Sequence, residues 1–191
     1  MKLLHLLPIG NSGGQLLQEL GAAMGKVFGV PFLVLPQALD PEAAFHAERQ
    51  QYHSSEILGA MQAFNTNESW RVLGVTAVDL YIPILTFVFG EAQIGGPCAV
   101  VSSYRLRQEF YGLPADADLL RARLLKEAVH EIGHTLELTH CHDYRCAMAA
   151  SHAVEWIDIK DAWLCPRCQA RALGAMEEPP SVASFRPSAR T

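Results

Sequence analysis

Apolar and polar residues in the first part of the chain follow a pattern that predicts a strand, a helix and a second strand in succession. Two short apolar runs, 2–9 (KLLHLLPI) and 31–36 (PFLVLP), are typical of buried strands. Between them, residues 15–28 (QLLQELGAAMGKVF) carry apolar side chains at helical spacing. This order predicts that the chain begins with a β-α-β unit, a building block of α/β folds.

The middle of the chain is predicted to contain one helix and three strands. A polar-faced helical pattern covers roughly 42–64, and RVLGVTAVDLY, which begins at Arg71, predicts a strand. The segments LTFVFGEAQIGG and PCAVVSSYRL predict two more strands, joined by a turn at the glycine pair 95–96. We expect the second of these strands to end at Tyr104 and Arg105.

A long helix is predicted to begin near Asp116, where a proline and several aspartates form an N-terminal signature. Apolar residues then keep helical spacing through Ile132. Beyond residue 141 the pattern becomes irregular, and the final stretch, EEPPSVASFRPSART, is rich in proline and serine. We therefore expect a single folded domain at 1–174 and a flexible tail at 175–191.

The composition narrows the class of protein. Half of the 191 residues are hydrophobic and 18% are charged, which is typical of a globular protein. A net charge of −5 and the lack of any lysine or arginine run argue against a nucleic-acid partner. The longest apolar stretch, 81–90, has about half of the roughly 20 residues that a bilayer requires, and the first residues lack a signal-peptide pattern. We expect a cytoplasmic protein without a membrane partner.

The stretch HEIGHTLELTH, which begins on the long helix, contains three histidines. His130 and His134 are four residues apart, so their rings project from one helix face about 6 Å from each other, with Glu131 beside them. This HExxH pattern is typical of zinc sites. His140 adds a third neutral nitrogen ligand and leaves a fourth position open for water, which is the arrangement of catalytic zinc sites.

Convergence of these histidines requires the helix to end soon after His134. In a continuous helix, His140 would lie about 9 Å further along the axis and off the shared face. A glycine with positive φ usually makes such a turn, but Glu137 occupies that place here. Two interpretations stay open. Either the following residues force Glu137 into the left-handed conformation at a cost of about 1 kcal/mol, or it stays helical and the bend comes later.

Four of the five cysteines lie in the C-terminal third of the chain. Cys141 and Cys146 have C-x4-C spacing, and Cys165 and Cys168 have C-x2-C spacing, so paired thiolates can complete a tetrahedral zinc site. In a reducing compartment such a cluster favours metal over disulfides, although free thiols or disulfides are the alternatives. A structural zinc here would also tie down the segment after the third histidine. Cys98 is expected to be an ordinary core cysteine.

Together these features resemble the archaemetzincin family of metzincin-clan zinc metalloproteases. The residues that carry the resemblance are His130, Glu131, His134, His140, Cys141, Cys146, Met148, Cys165 and Cys168. The upstream segment FVFGEAQIGGPCAVVSSYRL is also similar to the edge strands of that family. The likeness extends to about Cys168, and the chain departs from the family at Glu137, where glycine is usual.

The resemblance implies an α/β, metzincin-like fold. Its parts would be a mixed twisted sheet with an antiparallel edge strand, an active-site helix, and a small C-terminal subdomain held by the four-cysteine zinc site. The upper part would cover 1–136, and the lower part, 137–174, would contain the third histidine ligand and the structural zinc. Two zinc ions per chain are implied, one catalytic and one structural, and Met148 would form an apolar floor beneath the catalytic ion.

The implied activity is hydrolysis of peptide bonds by a monomeric enzyme. Glu131 would act as general base on a zinc-bound water, and a peptide or unfolded protein would bind as an added strand along FGEAQIGG. Other polar residues near the motif are expected to have lesser roles. His142 and His152 are expected to be exposed loop histidines, and Asp158 and Asp161 to be candidate partners of a ligating imidazole.

Two rival functions use the same residues. The first is a catalytically weak or inactive module, in which zinc only stabilises the fold and the cleft holds a peptide or protein partner; Glu137 slightly favours it. The second is a nucleic-acid-binding zinc module, which the acidic charge and the lack of a basic helix disfavour.

Overall fold

A five-stranded sheet forms the centre of the computed structural model, which describes residues 2–177. The helices and strands are β1 (Leu3–Ile9), α1 (Gly14–Phe28), β2 (Phe32–Val34), β3 (Phe45–His46), β4 (Gln51–His53), α2 (Ser54–Met61), β5 (Ser69–Thr76), β6 (Leu80–Tyr81), β7 (Gly90–Ala92), β8 (Cys98–Ser102), α3 (Ala117–Thr135), α4 (Val154–Ile159) and α5 (Pro166–Glu177). Short 3-10 helices lie at Glu42–Ala44, Gln62–Phe64, Tyr104–Leu106 and Gln108–Tyr111.

The central sheet is mixed, with strand order β2-β1-β5-β8-β7. Four strands are parallel, whereas β7 pairs with β8 in the antiparallel direction and forms one edge. Strands β3, β4 and β6 form a second, small sheet. The predicted opening β-α-β unit, the antiparallel edge strand and the mixed α/β architecture are thereby confirmed.

The central parallel strands β1, β5 and β8 bury side chains on both faces of the sheet. On β1, Leu4 and Leu6 face the large core beneath α1 and α3, whereas Leu7 and Ile9 face a smaller core that includes residues of α2. Full burial of such a side chain stabilises the fold by about 1.5–3 kcal/mol. Helix α1 approaches the sheet closely at Gly21, where a Cβ atom would lie 2.2 Å from the ring of Phe32. Helix α3, which carries the histidines, packs on the same large core as α1.

The helix predicted over roughly 42–64 is correct only in its second half, where α2 and a 3-10 turn lie. The first half instead contains strands β3 and β4, joined by a tight turn with Gln50 at φ 54°. Arg49 in this turn donates hydrogen bonds to the carbonyls of Leu85 and Thr86. Contacts with a distant loop thus override the local helical pattern.

The strand predicted to reach Tyr104 and Arg105 ends earlier, at Ser102. The Ser102 hydroxyl accepts a hydrogen bond from the Tyr104 amide at 3.0 Å and donates one to the Val78 carbonyl at 2.6 Å. This local side-chain bridge turns the chain into a 3-10 helix.

Two helices in the C-terminal part were not predicted. Helix α4 has only six residues, too few to show a periodic pattern, and α5 begins with Pro166, the proline of the CPRC segment. Helix α5 runs to Glu177, three residues into the predicted tail, and the rest of that tail lies outside the described residues.

None of the helices in the described part is long and apolar enough to cross a membrane. The division into parts 1–136 and 137–174 stays a prediction.

Candidate metal-dependent active site

Helix α3 positions the first three residues of the motif. Its N-terminus is capped by Asp116, whose carboxylate accepts a hydrogen bond from the Leu119 amide at 2.9 Å. Near its other end, His130 and Glu131 are 5% and 6% exposed, and His134 is half-buried. The last turns of the helix therefore place these side chains inside the molecule.

The helix ends through a left-handed residue at Glu137, whose φ is 61°. The Leu138 amide donates to the Gly133 carbonyl at 3.1 Å and the Glu137 amide to the His134 carbonyl at 3.0 Å, which is the pattern of a Schellman cap. The first interpretation of this turn is thus confirmed, because the chain reverses at Glu137 itself.

Neighbouring segments hold Glu137 in this conformation. Arg171 of α5 donates to the Glu137 carbonyl at 3.3 Å, and the Gly95 amide donates to the His134 carbonyl at 3.1 Å. The Glu137 side chain also covers Gly95, where a Cβ atom would lie 3.0 Å from Glu137 Oε1. Contacts from α5 and from the β7–β8 turn therefore help to stabilise a conformation that glutamate alone disfavours.

The reversal brings the three histidine rings together. Ring centroids are 4.7 Å apart for His130 and His134, 5.1 Å for His134 and His140, and 5.3 Å for His130 and His140. The Nε2 atoms of His130 and His134 are 3.1 Å apart, and one nitrogen from each of the three residues lies within 4.8 Å of the others. Tetrahedral zinc with bonds of about 2.0 Å holds its ligands about 3.3 Å apart, so this spacing fits zinc.

Hydrogen bonds on the far side of two rings show which nitrogen is free. His130 Nδ1 lies 2.9 Å from the Ala147 carbonyl, and His134 Nδ1 lies 2.8 Å from the Leu138 carbonyl. A carbonyl can only accept, so each Nδ1 carries the hydrogen and each neutral ring has its lone pair on Nε2. Two lone pairs then face each other at 3.1 Å, an arrangement that a cation between them would stabilise.

Burial lowers the pKa of all three histidines below the ordinary value, most strongly for His130. The positive charge of Lys160 lowers each pKa further. The rings are therefore neutral near pH 7, as metal binding requires.

Glu131 lies next to the histidines in a buried position. Burial raises the pKa of its carboxyl well above the usual range, the negative charge of Glu127 raises it further, and Lys160 acts in the opposite direction. Gly90 of β7 provides the space, because a Cβ atom there would lie 2.7 Å from Glu131 Cγ. A bound cation would favour the ionised carboxylate.

The histidines and Glu131 open onto a cleft of about 550 Å³. One wall is the edge of the sheet, from Leu85 to Ala92, and the other is formed by Ala150–His152. Edge strand β7, within the predicted substrate strand FGEAQIGG, therefore lies beside the histidine cluster.

Met148 lies beneath this part of α3 and is fully buried. A Cβ atom on Gly133 would lie 2.2 Å from Met148 Sδ, so the glycine of the HExxH turn lets the methionine approach the helix. The preceding residue, Ala147, supplies the carbonyl that orients His130. This placement is compatible with the predicted apolar floor.

The four clustered cysteines form a second group. Their sulfur atoms all lie within 4.8 Å of one another, and Cys141 Sγ is 3.8 Å from Cys165 Sγ. Tetrahedral zinc with bonds of about 2.3 Å holds its sulfur ligands about 3.8 Å apart, so the spacing fits zinc rather than a disulfide. None of the five cysteines of the chain, including the buried Cys98, forms a disulfide.

The environment of the cluster also fits thiolate ligands. Burial opposes ionisation of Cys141, but the Asp143 amide, Arg167 and the neighbouring thiols lower its pKa to about 7. The Cys165 amide donates to Cys146 Sγ at 3.3 Å, and Arg167 donates to Cys141 Sγ at 3.4 Å. Burial raises the pKa of Cys98 to about 12, as expected for a core thiol.

The prediction that Asp158 and Asp161 would orient an imidazole is wrong. Asp158 pairs with Arg123 through two hydrogen bonds of 2.7 and 2.6 Å, and Asp161 pairs with Arg145. Each carboxylate pairs with an arginine instead, and backbone carbonyls orient the rings of His130 and His134.

Two further histidines and one buried ion pair lie near the histidine site. His142 and His152 are exposed, as predicted, although His152 also lines the cleft. Sequence reasoning missed the buried ion pair between Glu127 and Lys160, whose Oε1 and Nζ atoms are 2.7 Å apart, close to Glu131. A glutamate four residues before Glu131 was the available signal, since i and i+4 share a helix face.

Comparison with known proteins agrees with this site. A profile of Peptidase family M54 matches residues 25–173. The archaemetzincin of Methanocaldococcus jannaschii is 43% identical over 161 residues, which cover 84% of this chain and 87% of the relative.

Solved structures show the same likeness. A zinc-dependent peptidase from Methanocorpusculum labreanum has a TM-score of 0.81 at 28% identity, and the match covers 88% of this chain and 99% of that chain. An Archaeoglobus fulgidus archaemetzincin complexed with malonate has a TM-score of 0.76 at 37% identity, and the match covers 90% and 99%.

The fold and the donor sets thus define a zinc metallopeptidase, with three histidines beside a cleft and four cysteines nearby. The chain belongs to peptidase family M54, the archaemetzincins.

Proposed function

We propose that the chain hydrolyses peptide bonds at the three-histidine site, with Glu131 as general base. The observation that carries this proposal is the pair of opposed Nε2 lone pairs on His130 and His134, next to a buried carboxylate at the floor of a cleft. Zinc bound by His130, His134 and His140 would act as a Lewis acid that polarises the peptide carbonyl and lowers the pKa of a water molecule.

The residues of the chain supply the remaining chemistry. Glu131 accepts the proton of the attacking water and delivers it to the leaving amine. The Ala147 and Leu138 carbonyls hold His130 and His134 in the ligating orientation. Met148 packs against Gly133 and supports this part of the helix from below.

Substrate binding uses the free edge of the sheet. Strand β7 pairs with β8 on one side only, and its other side borders the cleft. A peptide in extended conformation can add to this edge through backbone hydrogen bonds. We propose that peptides or unfolded proteins bind in this way.

Several finer features belong to the same proposal. We propose two zinc ions per chain, one at the histidines and one at Cys141, Cys146, Cys165 and Cys168. The chain would act as a monomer in the cytoplasm, without a nucleic-acid or membrane partner, and the unpaired cysteines support a reducing compartment.

Glu137 is one of the features that favour the rival function, a non-catalytic peptide-binding module. The three imidazoles converge in spite of Glu137, which supports the hydrolytic proposal over the rival.

A test compares Glu131→Gln with the wild type on a random peptide pool after zinc loading. We expect two zinc ions per chain by elemental analysis in both proteins and loss of turnover only in the variant, because glutamine cannot accept the proton. Glu155→Gln, at an exposed glutamate of α4, is the matched control and should keep turnover. Hydrolysis by Glu131→Gln at the wild-type rate would remove Glu131 from the mechanism.

A further inference from the structure

The cleft is also lined by polar groups that the proposed hydrolysis does not use. Glu127 and Ser151 both line the cleft. Lys160 Nζ lies 2.7 Å from Glu127 Oε1 and donates to the Ala149 carbonyl at 3.2 Å, so residues 149–151 lie close to the Glu127 carboxylate. We call this region, formed by Glu127, Ser151 and the Lys160 ammonium behind them, the polar pocket.

The ion pair in the polar pocket is almost completely removed from solvent. Glu127 is 3% exposed and Lys160 is 1% exposed. Burial of two charges is costly, and apolar residues of similar size often stabilise a fold as well or better. The pair is therefore better explained by recognition at the cleft than by stability alone.

Two atoms of the polar pocket have unused hydrogen-bonding capacity. Glu127 Oε1 and Ser151 Oγ are both shielded from solvent, and Ser151 Oγ has no hydrogen-bond partner among residues 2–177. Glu127 Oε1 pairs with Lys160 Nζ at 2.7 Å, and a carboxylate oxygen can accept a second hydrogen bond. Buried polar groups are normally paired, so a molecule from outside the chain is expected to pair with them. A side chain that displaces water from this place has to replace its hydrogen bonds.

We propose that the polar pocket selects a neutral hydrogen-bonding side chain, a hydroxyl or an amide, next to the scissile bond of the substrate. The pocket lies one helical turn from Glu131, so one of the two side chains that flank the scissile bond can reach it. This inference rests on the proposed function, since it assumes that the substrate is a peptide held over the histidines.

The charges of the pocket favour a neutral group. Lys160 compensates the charge of Glu127, so the pair offers no net charge to attract a cationic or an anionic side chain. A large apolar side chain would leave Ser151 Oγ without a partner. A site that hydrogen-bonds a substrate group discriminates against analogues that lack it, here by about tenfold or more in kcat/KM.

The test uses the zinc-loaded full chain and a peptide series in which each flanking residue in turn is serine, threonine, asparagine, glutamine, alanine, leucine, lysine or aspartate. We expect hydroxyl and amide peptides to be preferred about tenfold at one flanking position. Ser151→Ala should lower this preference at least about threefold, because it removes one of the two polar partners. Ser12→Ala, at a serine outside the cleft, is the control and should keep the preference.

A double variant, Glu127→Leu with Lys160→Met, removes both charges together so that neither is left unpaired. It should shift the preference towards leucine. If the double variant does not fold, the effect of Ser151→Ala on the preference for hydroxyl and amide peptides alone tests the proposal.

Binding of the same peptides to Glu131→Gln, measured by calorimetry, separates this inference from the proposed function. Cleavage without the preference, or a preference that Ser151→Ala leaves unchanged, would overturn the polar pocket and leave the hydrolysis standing. Binding that prefers hydroxyl and amide peptides, with no cleavage by the wild type, would support the pocket and overturn the hydrolysis. A result that shows no cleavage and no preferential binding would overturn both the pocket and the hydrolysis.

Discussion

The histidine site and the cysteine site are adjacent in sequence but differ in their exposure. His140 is exposed and the histidine cluster opens onto the cleft, whereas three of the four clustered cysteines are buried and none lines the cleft. The two clusters meet at His140 and Cys141. An open three-ligand site suits reaction with a substrate, and a closed four-ligand site suits stabilisation.

The two sites also differ in what prepares their ligands. Burial lowers the pKa of all three imidazoles, so they need no proton loss before they bind metal, and backbone carbonyls orient His130 and His134. Thiols must lose protons, and Arg167 and the backbone amides near Cys141 and Cys146 favour their ionised form. From this comparison we expect the histidine cluster to exchange its metal without unfolding, and the cysteine cluster to lose its metal only with loss of the fold.

The largest effect is expected from Cys168→Ser. Loss of a thiolate ligand should release the structural zinc and lower the free energy of unfolding by about 3–5 kcal/mol, because metal binding and folding are coupled. Thermal unfolding together with zinc analysis measures this. Cys98→Ala is the matched control and should keep both ions, with a loss of only about 1 kcal/mol for the deleted sulfur. Equal destabilisation by both variants would remove the structural role from the cluster.

His140→Ala should affect activity instead of folding. We expect turnover to fall about 10³-fold or more, because the catalytic ion loses a ligand, while the free energy of unfolding changes by less than about 1 kcal/mol. Peptide turnover and chemical denaturation, measured on the same preparation, test this. A variant that unfolds as readily as Cys168→Ser would contradict the proposed difference between the sites.

Proton release on zinc binding should separate the sites near pH 7. The histidine pKa values are lowered, so the rings are already neutral and should release almost no protons until the pH falls below about 6.5. Burial raises the pKa of Cys146 and Cys168, so their thiols are protonated and must release protons. Calorimetry in buffers of different ionisation enthalpy measures the release. Similar release at both sites would show that the histidines are not held neutral.

The smallest effect is expected from Glu137→Gly. Relief of the left-handed strain should stabilise the fold by up to about 1 kcal/mol and tighten zinc binding at the histidines. Gln50→Gly, at the other non-glycine residue with positive φ among residues 2–177, is the control and should leave zinc affinity unchanged. No gain in zinc affinity for Glu137→Gly would reject the strain account.

The parts of the fold and site that depend on local spacing could be predicted from the sequence. The opening β-α-β unit, the edge strand and α3 follow hydrophobic periodicity, and the histidine and cysteine spacings are set by the geometry of zinc. The reversal near Glu137 could be predicted as a requirement, because His140 cannot otherwise reach the other two rings.

The parts that depend on distant contacts could not be predicted. Strands β3 and β4 replace a helical pattern because Arg49 contacts the 85–86 carbonyls. Asp158 and Asp161 pair with arginines 35 and 16 residues away in sequence, and Lys160 reaches Glu127 across the core. No characteristic spacing in the sequence predicts such pairings.

Anomalous X-ray scattering at the zinc edge, measured on crystals of the zinc-loaded chain, tests the central claim most directly. We expect one peak within bonding distance of His130, His134 and His140, with its fourth position open to the cleft, and a second peak at the centre of the four sulfurs. A first peak that lacks His140, or whose fourth position is filled by a protein side chain, would contradict a hydrolytic site.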